Sequence, residues 1–149
     1  MTSWLQSLSL FSMNTSKPYG VVKSYRDLVA WQKAKSLAID VYKLSMTPPF
    51  YRHRSLADQI IRSAVSIPSN IAEGDERGSN KDSLRFLQIA RGSLAELETQ
   101  LSIAKEIGLI SPTAVINLSK QIDEAARLLG GTINMRKARA QSYRERLEE

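Results

Sequence analysis

The chain has 149 residues, enough for one domain with a single core, and 42% of them are hydrophobic, an ordinary share for a folded protein. It contains no cysteine and one histidine, His53, which excludes disulfides, thiolate chemistry, Cys-ligated metals, two-histidine metal sites and His–His relays. The formal charge of +6 suits an anionic partner such as nucleic acid, although a modest excess of Lys and Arg also serves simply to keep a small protein in solution.

No apolar run approaches the ~20 residues needed to cross a bilayer, so a soluble, cytoplasmic protein is expected. The opening MTSWLQSLSLFSMN lacks a basic stretch ahead of its apolar residues and a clean small-residue cleavage site, so it does not read as a signal peptide. Residues 1–24 are expected to form a flexible tail.

Four segments then show helical periodicity, separated by breaker clusters. The first is expected from Asp27, as N-cap, to about Met46. Ala30, Ala34, Leu37, Val41 and Leu44 make its apolar stripe, which Leu28, Trp31, Ala38 and Tyr42 widen. Trp31 and Tyr42 are therefore expected in the core. Thr47-Pro48-Pro49 ends the segment, because proline cannot continue the hydrogen-bond ladder.

The second is expected from Ser55 to about Arg77, with Leu56, Ile60, Ala64, Ile67 and Ile71 inward and a kink at Pro68. Gly74 and Gly78 weaken its end, and Ser79-Asn80 makes the turn. The third is expected from Asn80 to Ile107, stopping at Gly108. Leu84, Leu87, Ala90, Leu94, Leu97, Leu101 and Ala104 keep near-heptad spacing over about 25 residues, roughly 37 Å of helix. The fourth opens at Ser111-Pro112, an N-cap followed by proline at the first helical position. Its stripe is Val115, Leu118, Ile122, Ala126, Leu129 and Ile133, with Gly130-Gly131 a weak point. No alternating strand pattern competes.

The fold class expected is all-α: an up-down-up-down antiparallel four-helix bundle over residues 25–138, followed by a charged C-terminal extension, 139–149.

Three stretches carry a family resemblance. They are Asp27-Leu28 with Trp31-Gln32-Lys33-Ala34, the run AVSIPSNIAEG over 64–74, and FLQIARGSLAELETQL over 86–101. Together they resemble, over roughly residues 25–136, the four-helix bundle proteins encoded within 23S rRNA intervening sequences. Relatives of these are the accessory variability proteins of diversity-generating retroelements. Leu109-Ile110 departs from the family's frequent aromatic after the third helix.

The resemblance implies a left-handed bundle assembled as a homopentamer. In the retroelement branch it also implies a basic pentamer that binds nucleic acid and a reverse transcriptase. The sequence looks nearer to the intervening-sequence branch, which has no settled biochemical role.

Several residue groups invite a functional reading. A helix kinked at Pro68 exposes unpaired carbonyls, which makes 68–74 either a recognition surface or a bend with Asn70 tying down a freed backbone group. Glu73, Asp75, Glu96 and Glu98 suggest a carboxylate centre. Di-metal bundles use Glu-x-x-His pairs, however, and no histidine lies on those helices, so no metal site is assigned. Glu96 or Glu98 is expected to pair with Arg91, Lys105 or an arginine on a neighbouring helix.

Residues 52–110 hold eight basic and eight acidic side chains, so the positive excess comes from the flanks, with Arg136, Lys137 and Arg139 the densest short run. The candidate nucleic-acid contacts are Arg52, Arg54, Arg77, Lys81, Arg85, Arg136, Lys137 and Arg139. An oligomer would repeat such a patch and multiply a weak phosphate attraction. No zinc finger, RNP aromatic motif or recognition-helix signature points to base readout. Neither a nucleophile–base pair nor a phosphate loop points to an enzyme, and no cofactor is implied. The expected partners are a second copy of the chain, RNA or DNA, and, in the rival reading of a protein-interaction scaffold, a polymerase or reverse transcriptase.

Overall fold

A computed structural model describes residues 24–148, so the expected N-terminal tail lies almost wholly outside the described residues. Within them the chain is all-helical: α1 Val29–Ser45, α2 Arg54–Asp75, α3 Asn80–Glu106 and α4 Pro112–Glu148. Each helix packs on its chain neighbours and α4 closes back on α1, so consecutive helices run antiparallel in a four-helix bundle. Among the described residues there is no strand, and no helix is long and apolar enough to cross a membrane.

Local chemistry explains the boundaries. Ser79 Oγ accepts from the Asp82 amide at 3.1 Å and Ser111 Oγ from the Ala114 amide at 3.2 Å, capping α3 and α4. α3 ends at Gly108, whose φ of +79° only glycine adopts readily. The Leu109 amide there returns to the Ala104 carbonyl at 2.8 Å and the Gly108 amide to that of Lys105 at 3.0 Å, a Schellman closure.

α1 starts one residue later than an N-cap at Asp27 predicts, with Leu28 at the cap. Asp27 instead closes a short 3₁₀ turn, Tyr25–Asp27: Ser24 Oγ accepts from the Arg26 amide and the Asp27 carboxylate accepts from the Ser24 amide at 3.2 Å. A second 3₁₀ turn, Pro48–Arg52, drives Phe50 into the core, where it is wholly buried.

The inward stripes fall mostly where periodicity puts them. Leu37, Ile60, Ile67, Ile71, Leu87, Leu97 and Leu129 are all buried. Two assignments fail and a third holds in part. Tyr42 is 50% exposed, and Trp31 is half-buried, stacked edge-on against Tyr25 with ring centroids 5.1 Å apart. In α4 the inward alanine is Ala125, and Ala126 is exposed. Among the helices α1 packs chiefly on α2 and α4, so its buried arc is narrower than its apolar arc.

α2 runs through Pro68 as one helix, with Pro68 itself buried. Asn70 Nδ2 donates to the Ser66 carbonyl at 2.8 Å, not to Ala64, the acceptor that the proline frees. α4 likewise continues through Gly130-Gly131 and carries the expected extension as ordinary helix to Glu148. Buried Leu129 and Ile133 on either side of the glycines supply packing that outweighs about 1 kcal/mol of lost propensity at each.

Candidate nucleic-acid interface

The antiparallel order sorts the basic residues by end. One end gathers the C-terminus of α2, the N-terminus of α3 and the middle of α4; the other gathers the C-terminus of α1 and the N-terminus of α2. Arg77, Lys81, Arg85, Arg136, Lys137 and Arg139 belong to the first end, and Arg52 and Arg54 to the opposite one. The eight candidates therefore do not form one surface.

Two of the first group are already engaged. Arg136 Nη2 donates to Asp75 Oδ1 at 2.5 Å, with only 17% of the arginine side chain and 13% of the aspartate exposed. It locks α4 to the end of α2, and its inward aim removes it from a phosphate-binding surface. Arg77 pairs with Glu73 one turn back, and its guanidinium lies 4.6 Å from the Phe86 ring centroid, a cation–π contact.

Lys81, Arg85, Lys137 and Arg139 are exposed, and none belongs to any of the ion pairs among the described residues. The end is lengthened by α4 itself. Arg136 is level with the last turn of α2, and residues 137–148 continue the helix beyond that level for about 18 Å.

The carboxylates form no centre. Glu73 and Asp75 are occupied by Arg77 and Arg136, and no group of three potential metal ligands exists among the described residues. Neither Glu96 nor Glu98 joins an ion pair among the described residues, contrary to expectation; besides Arg136–Asp75, the interhelical pair that forms is Lys33–Glu124 at 3.1 Å.

The inward residues of the 64–74 motif pack between α2 and α3, while Val65, Ser69 and Glu73 are exposed. Ser66 and Ser93 hydroxyls sit 2.8 Å apart, Ser63 donates to Gln100 Oε1 at 2.7 Å, and Ile67, Pro68 and Ile71 are buried. Gly74 permits the closest approach: a Cβ there would stand 3.0 Å from the Ser83 carbonyl oxygen and 3.2 Å from Phe86 Cβ. Read from sequence, Gly74 is a weak helix end; in the structure it is where the backbone of α2 comes close to the backbone of α3. The rest of this seam opens as a shallow groove between Arg62 and Glu96.

The described residues thus form an all-α bundle with exposed cations at one end. The comparisons give it a family. Residues 26–131 match the family model of the 23S rRNA-intervening sequence protein, and the chain belongs to that family. A solved structure from Bacteroides thetaiotaomicron VPI-5482 is similar: a protein of unknown function from the S23 ribosomal protein family. It is 24% identical, with 70% of this chain and 98% of that one covered and a TM-score of 0.62, which supports the fold. No curated protein matches the chain.

Proposed function

We propose that the protein is a non-catalytic homo-oligomer that binds RNA or DNA through phosphate contacts, without strict sequence readout. The observation that supports this reading is the set of exposed, unpaired cations at one end of the bundle: Lys81, Arg85, Lys137 and Arg139. Phosphate contacts of this kind position a protein on a nucleic acid without reading bases. Arg136 drops out of the set, Arg77 contributes only if it leaves Glu73, and Arg52 and Arg54 form a separate, opposite patch.

Self-association, as a pentamer in the family resemblance, is assigned to α1, where Ile39, Tyr42 and Met46 are exposed at i, i+3 and i+7 on one face. Repetition of the basic end around a symmetry axis would then provide avidity. The link to retroelement accessory proteins and a reverse-transcriptase partner belongs to the same proposal and rests on the resemblance.

The test is light-scattering mass coupled to size exclusion at low and high salt, with absorbance at two wavelengths to detect bound nucleic acid. A mass near five chains, carrying nucleic acid that high salt strips, is expected. A clean monomer that retains none would contradict the reading.

A further inference from the structure

The buried stripe of α4 does not stop where the bundle does. Leu129 and Ile133 are buried, and the same face continues as Arg136, Ala140, Tyr143 and Leu147, at spacings of three, four, three and four. That is a heptad seam. Past Ala140, which is partly buried, the face opens to solvent: Tyr143 is 59% exposed and Leu147 70%.

With Ala140 and Leu147 at position a and Tyr143 at d, the flanking e positions are Lys137 and Arg144, and the flanking g positions are Arg139 and Arg146. All four are exposed and basic. The acidic residues of this segment, Glu145 and Glu148, fall at the outer f and b positions, and Gln141 donates to Glu145 along that outer face at 3.0 Å. Arg146 leans back one turn, its Nε donating to the Ser142 carbonyl at 3.2 Å, and remains exposed.

This arrangement discriminates between occupants. Two copies of the seam would set basic e against basic g in parallel pairing, and g against g or e against e in antiparallel pairing. Every flanking contact would be repulsive in either orientation. Residues 1–23 are apolar enough to cover the seam but contain no Asp or Glu, only Lys17 and Lys23. The charge pattern instead requires acidic flanks.

We infer that residues 137–148 of α4 are one half of a heterotypic helix–helix interface, whose partner is an acidic amphipathic helix of another protein with apolar a and d and Glu or Asp at e and g. Tyr143 and Leu147 are the anchors, and Lys137, Arg139, Arg144 and Arg146 select the partner by charge. The site goes beyond phosphate binding and shares Lys137 and Arg139 with it, so the acidic helix and nucleic acid compete at this end.

The probe is a fluorescent peptide of about three heptads with Leu at a and d and Glu at e and g, read by anisotropy against the full-length chain. A control peptide has Lys in place of each Glu. The acidic peptide is expected to bind and to weaken with salt, and the Lys peptide to bind at least about tenfold more weakly.

Y143A/L147A removes the anchors and keeps every charge. It should abolish peptide binding while leaving mass, thermal unfolding and the affinity for a labelled RNA or DNA oligonucleotide unchanged. The fourfold reversal K137E/R139E/R144E/R146E should invert the peptide preference, an outcome that a merely sticky surface cannot give.

Four results would overturn the inference. They are no acidic-peptide binding by the full chain, equal binding of both peptides, dissociation of the oligomer in Y143A/L147A (which would give the seam to a second copy), and a loss of oligonucleotide affinity in that variant matching the loss of peptide (which would give it to nucleic acid). Failure of oligonucleotide binding alone leaves the helix interface standing.

Discussion

The two parts of α4 use one periodicity for opposite ends. From Pro112 to Arg136 the stripe Leu118, Ile122, Ala125, Leu129 and Ile133 is buried against α3 and α1, and Arg136 turns inward to Asp75. From Lys137 to Glu148 the same stripe continues and opens beyond the partly buried Ala140, and the arginines and lysines stay in water. Apolar spacing therefore specifies a helix face without specifying what covers it, and a basic residue is a binding candidate only once its neighbours are known. Arg136 and Lys137 are adjacent in sequence and belong to different surfaces.

The comparison breaks most sharply on paired leucines. Leu129→Ala should cost about 2–5 kcal/mol through lost burial and the cavity left behind, whereas Leu147→Ala should change stability by less than about 0.5 kcal/mol. Urea unfolding at fixed protein concentration measures both. Similar losses at the two positions would mean that residues 137–148 are already packed.

Gly74→Ala, at the tight end of α2, should destabilise by about 1–3 kcal/mol, because the new methyl meets the Ser83 backbone at 3.0 Å. The same unfolding series reports it, and a neutral result would mean that α2 and α3 separate more easily than their packing implies. Arg136→Ala should cost about 1–3 kcal/mol by leaving Asp75 mostly buried without its partner. Adding Asp75→Asn should recover part of that loss in a double-mutant cycle, since the stranded charge is then removed.

Most of the fold was legible because its signals are local. Thr47-Pro48-Pro49, Gly108 and Ser111-Pro112 act within a turn of themselves, and the stripes of Ala34 to Val41 or Leu87 to Leu101 need only helical spacing. What sequence missed depends on neighbours. Tyr42 shares α1's apolar arc but lies outside the part that α2 and α4 cover. Ala125 replaces Ala126 because α4's burial is set by where α3 and α1 sit.

The site was less legible for the same reason. Arg136 meets Asp75 across 61 positions, and no local pattern announces that pair. Arg52 and Arg54 are separated from the other candidates by the length of α2. The 64–74 motif is the most distinctive run in the chain, and its distinctiveness comes from interhelical packing: Ser66 on Ser93, and Gly74 beneath Ser83 and Phe86. The heptad flanks Lys137, Arg139, Arg144 and Arg146 were present in the sequence, but they became informative only once α4 was seen to outrun the bundle.

Nucleic acid is proposed to meet one end of the bundle, and a comparison of the two ends tests this most directly. Oligonucleotide affinity would be measured against salt concentration for K81A/R85A/K137A/R139A and for R52A/R54A. The fourfold variant is predicted to bind more weakly across all sequences, with its log–log salt slope reduced by about 3–4, while R52A/R54A keeps the parent slope. A parent-like slope in the fourfold variant, with the loss appearing in R52A/R54A instead, would contradict the claim.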